Sequence, residues 1–273
     1  MIAVILADAT IDQAERRGDH LICAPSMPVR HHRTVDRVVA ILEEAARVTG
    51  GVTLAELAER LAAPKSSIQE LTNGLLATGF LVERDRRFIL GPGPFVLSLH
   101  ATGLALRQVD HDQLEDAAER LGFPLFVGTR MGDDHVFVDQ AGHDVLMDFV
   151  AATRPRRPLL ITATGKILLA FAPSAERNDF LVRMEREQPE RVTAFLAELP
   201  EIRASALAYN SGVTVPGRYT AATPLIDPDG TLLAAICLVA GPEHADALPE
   251  LGHALRETVG QWQWPRKRNA VGS

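Results

Sequence analysis

The sequence predicts an α+β fold in two parts: a small helical module ending in a two-stranded hairpin, and a larger domain built on an antiparallel sheet with flanking helices. Three observations carry this. Residues 34–77 set apolar side chains at helical spacing in three runs separated by short breaks. The strand-like triplets Phe80-Leu81-Val82 and Phe88-Ile89-Leu90 then flank a charged turn, Glu83 to Arg87. Further on, two long β-rich runs, Tyr219–Ile226 and Leu232–Val239, face each other across the turn sequence Asp227-Pro228-Asp229-Gly230.

At 273 residues, 47% hydrophobic and 23% charged, the chain is long enough for two globular domains. No apolar run approaches the roughly 20 residues of a membrane span, and MIAVILADAT lacks the basic start of a secretory signal, so a cytoplasmic location is expected. Two cysteines, Cys23 and Cys237, supply neither a disulfide framework nor a four-cysteine zinc site. The net charge of −7 is unevenly spread: residues 30–107 hold ten Lys and Arg against eight Asp and Glu, whereas residues 108–273 hold sixteen against twenty-three. A slightly basic module on an acidic body suits a DNA-binding head.

The first helix starts at Thr34 and turns Val35, Val38, Leu42 and Ala45 to one face, ending at Thr49-Gly50-Gly51. Thr53 and Glu56 have the spacing of a capping box and open a second helix, 54–62, which stops against Pro64. A third helix, 65–77, buries Ile68, Leu71 and Leu75 and leaves Lys65, Ser66, Ser67, Gln69, Glu70, Thr72 and Asn73 on or near its exposed side. Such a first turn suits a major groove, although a solvated helix face has the same composition. Three helices plus the hairpin make a winged helix-turn-helix. Arg33 and Arg37 in the first helix, Thr53 at its neighbour's cap, and Arg84, Arg86 and Arg87 around the wing tip are placed to meet phosphates of double-stranded DNA.

The run from Thr34 through LAELAERLAAPKSSIQELTNGLLATGFLVERDRRFILGPGPFVLS resembles the N-terminal domain of the IclR family of bacterial transcriptional regulators. One residue departs from that likeness: Glu70 stands where the family commonly has an arginine, and a carboxylate there repels phosphate or selects cytosine amino groups.

Gly91-Pro92-Gly93-Pro94 breaks the wing strand, after which Phe95–Arg107 reads as a linker helix and Asp110–Leu121, closed by Gly122, as the first helix of the larger domain, with the boundary near residue 108. Leu125–Thr129, His135–Asp139 and Val145–Val150 read as strands; Thr162–Phe171, Ala175–Arg186 and Thr193–Leu207 as helices; and residues 245–262 as a final helix after the long hairpin. This order, with PLLITATGKILLAF, FLAELPEIRASALA and PGRYTAATPLIDPDGTLLAAICLVAGP, is similar to the effector-binding domain of the same family, which implies a GAF-like fold. The resemblance further implies a pocket for a small organic effector (a carboxylate, lactone or aromatic metabolite) at Thr162, Ala163 and Thr164, with Asn210, Thr220, Cys237 and Val239 at other pocket positions and Phe126 from the first strand. Cys237 and Val239 stand where small hydroxyl residues are common, which makes the site less polar. The resemblance also implies homodimers or homotetramers and a repressor role.

Other chemistry is weaker. Cys237 in LLAAICLVAG has no basic neighbour to lower its pKa, so no catalytic residue is assigned. Gly165-Lys166 lacks the rest of a phosphate loop, with Leu160 and Ile167 where glycine and a hydroxyl are needed. His135, Asp139, His143 and Asp144 could in principle gather round a metal, but acids and histidines near turns are usually solvated, and neither metal nor cofactor is expected. Two rival readings stand beside the regulator: an enzyme using the larger domain, for which no nucleophile, base and orienter set is evident, and a regulator whose pocket is degenerate. Residues 1–29, with Met27 as an alternative start, read as an extension without ordered structure, and Arg266-Lys267-Arg268 as a basic tail after residue 264.

Overall fold

In the computed structural model, which describes residues 32–101 and 110–262, the N-terminal module is held by a shared apolar centre. Helices α1 (Arg33–Arg47), α2 (Leu54–Arg60) and α3 (Lys65–Ala77) send Ile41, Leu57, Ile68 and Leu75 into it, and the wing strands β1 (Leu81–Arg84) and β2 (Arg87–Leu90) add Leu81 and Phe88. Thr53 closes its capping box with Glu56 in both directions, as its spacing required. Val52 pairs with Phe88 in an isolated bridge, so the wing is stitched to the loop ahead of α2. That approach needs Gly51: at φ +86° it lies where a Cβ would meet Phe88 O at 2.7 Å.

Three expectations need correction here. The second helix ends at Arg60 rather than residue 62, because Ala62 takes a left-handed φ of 46° that leads into Pro64. The wing turn is only Asp85-Arg86, both at positive φ (51° and 60°), so Arg84 and Arg87 are paired strand residues, and the strands are longer than the triplets suggested. Thr72 is fully buried, not on the exposed side of α3; its hydroxyl donates to Gln69 O at 3.0 Å, which lets a polar side chain enter the core.

After α4 (Gly93–His100), the larger domain runs α5 (His111–Leu121), β3 (Leu125–Met131), β4 (Asp134–Ala141), α6 (Val145–Thr153), β5 (Arg157–Pro158), α7 (Ala163–Ala170), α8 (Ser174–Glu187), α9 (Pro189–Ser205), β6 (Ala208–Ser211), β7 (Tyr219–Ile226), β8 (Leu232–Ala240) and α10 (Leu248–Gly260). Its six strands lie in the order β5-β4-β3-β8-β7-β6, each pair antiparallel. The sheet is covered on both faces. Val127, Ile236 and Leu238 pack under α5 and α10, while Phe126, Cys237 and Val239 pack under α7, α8 and α9. Double coverage explains why β8 reads LLAAICLVA, apolar at nearly every position.

Val145–Val150, read as a strand, is instead the helix α6: Asp144 accepts from the Leu146 and Met147 amides at 3.1 and 2.9 Å, and this cap starts a helix in a run whose apolar pattern suits either state. The two short strands β5 and β6 were not foreseen, being two and four residues long. Helix α9 begins four residues earlier than expected, with Pro189 in its first turn, and α10 is shortened by a 3₁₀ turn at Pro242–His244. The linker helix is described only as α4; the expectations for residues 1–29, the stretch 102–109 and the tail 265–273 lie outside the described residues.

Helix α7 is the element that positions everything near the sheet centre, since every residue of it except Lys166 is buried. Two glycines let it lie that close: a Cβ on Gly165 would run into Leu159 O, and one on Gly128 in β3 into the Thr164 methyl. Replacing Gly128 with alanine is expected to lift the first turn of α7 off the sheet and to destabilise the protein by about 2 kcal/mol, read as a drop of several degrees in Tm.

Candidate functional site: a reading face and a buried cavity

On the winged module the exposed face of α3 carries Lys65, Ser66, Gln69, Glu70 and Asn73. Gln69 Nε2 donates to Asn73 Oδ1 at 2.8 Å, so this pair presents one organised amide edge and leaves donors and acceptors outward. Ser67 is half-buried and accepts from Arg37 Nη1 at 3.2 Å, which ties α1 to the first turn of α3. Arg33, Arg84 and Arg86 are exposed. Two of the predicted residues have structural work. The Thr53 hydroxyl is used within its capping box, and Arg87 Nη1 donates to Gly51 O at 2.9 Å and lies 3.4 Å from Glu56, holding the wing to α2. The backbone and hydroxyl bonds from Thr53 hold the Glu56 carboxyl below the usual carboxylate range, so that corner stays ionised.

The larger domain encloses a cavity between the α7 face of the sheet, the first turn of α7 and the loop ahead of β7. It is closed down to about 10 Å³, room for on the order of one water. Of the expected pocket residues, Thr162, Ala163, Thr164, Thr220 and Cys237 line it. Phe126, Asn210 and Val239 do not. Phe126 is fully buried against Phe137, ring centroids 5.1 Å apart, and Val239 sits in the same core. Asn210 is a latch: its Nδ2 donates to Ile161 O and its Oδ1 accepts from Val213 N.

Sequence reasoning missed His135, Phe137, Met147, Arg157 and Arg218, all of which line the cavity. Met147 was hidden by the strand reading of its segment, and Arg157 by the two-residue length of β5. A signal existed for the latter in the basic run Arg154-Pro155-Arg156-Arg157 directly ahead of PLLITATGK. The four residues considered for a metal are occupied otherwise: His135 Nε2 lies 2.9 Å from Thr162 Oγ1, Asp139 pairs with His111 at 3.0 Å, His143 is 3.6 Å from Asp148, and Asp144 caps α6 and accepts from Arg218 Nε at 2.7 Å. Lys166 likewise pairs with Glu198 of α9, at 2.6 Å.

Electrostatics inside the cavity follow from burial. The His135 imidazole is pushed down to about 3, first by burial and then by the Arg157 charge, so it is neutral. Burial pushes the Cys237 thiol up to about 11, which removes it as a nucleophile. Arg157 is itself pushed down by burial; among the described residues no carboxylate pairs with it, and the Phe137 ring lies 5.9 Å from its guanidinium carbon. The site therefore holds two arginines, of which Arg218 is paired with Asp144, with a neutral imidazole and threonine hydroxyls in an apolar wall, a set that binds and orients but does not cleave.

Between pH about 6.5 and about 3 the unfolded chain binds a proton at His135 that the folded chain refuses, so this group makes stability fall as the pH drops through that window. Denaturant titrations at pH 7.5 and pH 5 are expected to show His135→Gln losing less stability on acidification than the parent, by on the order of 2 kcal/mol. Equal losses would place the imidazole in water. Both domains of the chain match known proteins. Residues 34–85 match the IclR helix-turn-helix domain and residues 99–263 the domain described as bacterial transcriptional regulator IclR C-terminal. The chain is 30% identical over 222 residues, 77% of each chain, to the HTH-type transcriptional regulator BhcR of Paracoccus denitrificans. Its fold resembles the IclR transcriptional regulator of Alicyclobacillus acidocaldarius (TM-score 0.61, 20% identity, 84% of this chain and 97% of that one). It also resembles an IclR homologue of Microbacterium hydrocarbonoxydans complexed with 4-hydroxybenzoate (TM-score 0.57, 20% identity, 83% and 99%). With both of its domains accounted for, the chain belongs to the IclR family of bacterial transcriptional regulators and is a regulator, not an enzyme.

Proposed function

We propose that this chain is a cytoplasmic repressor that reads a promoter operator with α3 and loosens its hold on DNA when a small organic effector occupies the cavity. The observation that carries the first half is the exposed row Lys65, Ser66, Gln69, Glu70 and Asn73 beside exposed arginines at 84 and 86. Lysine and arginine neutralise phosphates, while the amide pair and Glu70 offer hydrogen-bonding edges to bases. Ser67 contributes through Arg37, by fixing where α3 begins relative to α1. Thr53 and Arg87 contribute by holding the loop and wing in place.

The second half is supported by a cavity floored by α7, whose walls carry a cation and hydroxyls, and by the homologue's complex with 4-hydroxybenzoate, an aromatic carboxylate. The loop ahead of β7, held by Arg218 on Asp144, walls one side of the cavity, so an effector that displaces it changes the protein's shape, and ligand and DNA affinities are then linked reciprocally. Two operator half-sites call for two copies of the module, hence a homodimer or a dimer of dimers.

Operator selection with the purified chain tests the reading, and recovery of no enriched DNA sequence would remove it. On the selected operator, Lys65→Ala with Ser66→Ala is expected to weaken binding by about 10- to 100-fold. Arg84→Ala with Arg86→Ala is expected to weaken specific and non-specific DNA alike, flattening the slope of log affinity against log salt by about 2. Glu70→Gln should change the preferred base at one operator position and leave the salt slope nearly as it was, read by repeating the selection.

A further inference from the structure

We infer that the cavity selects a short 2-hydroxy carboxylic acid, with Arg157 holding the carboxylate and Nδ1 of His135 accepting the hydrogen bond of the neighbouring hydroxyl. This rests on the effector reading above and narrows it to one chemistry.

The argument begins with a proton count at Thr162. Its hydroxyl accepts from the Gly165 amide at 3.0 Å as the cap of α7, and its single hydrogen goes to Pro158 O, also at 3.0 Å. With that hydrogen on Pro158 O, His135 Nε2, 2.9 Å from the same oxygen, takes the donor role in their bond, and we adopt this tautomer. In a neutral imidazole that leaves Nδ1 as a bare lone pair. Nδ1 is buried and has no partner among the described residues, in a residue with no exposed surface that lines the cavity. A buried acceptor without a donor is costly, and a ligand hydroxyl would satisfy it.

The second pole is Arg157. It lines the same cavity, is largely buried, and meets no carboxylate among the described residues. A guanidinium in that position attracts an anion and gains most from a planar, two-oxygen one. The other cavity arginine, Arg218, is already engaged by Asp144.

The spacing of the poles sets the ligand. His135 and Arg157 are direct partners across the antiparallel pair β4 and β5, so their side chains leave the same face of the sheet from Cβ atoms about 5 Å apart. Phe137, two residues along β4, touches both: its ring centre is 5.4 Å from that of His135 and 5.9 Å from the Arg157 guanidinium carbon. A ligand that serves both poles thus carries its hydroxyl next to its carboxylate, and its tail lies against Phe137 and Met147. The tight cavity keeps that tail short.

The test is calorimetry on the full-length protein with 2-hydroxy acids of two to six carbons, each beside its deoxy acid and its hydroxy amide, with release of operator DNA followed by fluorescence anisotropy. The inference expects at least one 2-hydroxy acid to bind and release DNA, with tenfold or greater loss on removing either the hydroxyl or the charge. Arg157→Gln should abolish this binding while thermal melting shows a folded protein, and Arg157→Lys should restore part of it. His135→Phe should make the hydroxy and deoxy acids bind alike. Affinity should be flat between pH 6 and 8, because the imidazole stays neutral there; an affinity that rises as pH falls would overturn the acceptor role. A deoxy acid, lactone or neutral compound that releases DNA more potently, unaffected by Arg157→Gln, would overturn the hydroxy acid while leaving the effector reading standing. No compound of any class binding would overturn both.

Discussion

Helix α7 is buried along nearly its whole length, and its first turn points amides into a region that water barely reaches. The Gly165 amide among them finds its partner in the Thr162 hydroxyl, which is itself satisfied. Because the oxygen also bonds Pro158 O and His135, it joins the start of the helix, the edge strand β5 and the strand β4 at one point. The junction fixes the His135 ring beside the first turn of α7, on the strand that pairs with β5. A hydroxyl that would serve only as a cap in an exposed helix here decides the chemistry of the cavity wall.

The same economy appears in the winged module. Arg37 and Arg87 are long cations that could be counted as phosphate contacts, yet each is drawn onto a protein acceptor, Ser67 or the Gly51 carbonyl. They set the angle of α3 and the wing instead. The side chains at 33, 65, 84 and 86 are exposed. Position in the fold, more than charge in the sequence, separates residues that build the face from those left exposed on it.

The helices of the reading module were legible because each carries its own punctuation: a capping box at Thr53, Pro64 at the start of α3, Gly79 after its end. The long hairpin β7–β8 was legible for the same reason, through Asp227 to Gly230. Segment 145–150 was not. Its run of Val, Leu, Met, Phe and Val fits a buried strand and a helix equally, and Asp144, the deciding cap, also reads as a turn residue. In α3, Thr72 was assigned by polarity, whereas a local bond back to Gln69 O made it a core residue.

By itself the sequence determined the two-part α+β plan, the order of most elements, the reading helix and the threonines at the start of α7, because these depend on local periodicity and on caps that act within one turn. Only the tertiary structure decided which residues meet in the cavity. His135 and Arg157 are 22 positions apart and become neighbours through a two-residue strand that no local pattern announces. The neutrality of the one and the lowered basicity of the other arise from burial, which is a property of everything packed around them. Phe126, Asn210 and Val239 fell outside the cavity for the complementary reason: in a sheet covered on both faces, a pocket is bounded by whichever side chains the covering helix leaves room for, and a one-residue difference in register or depth moves a side chain from the wall into the core.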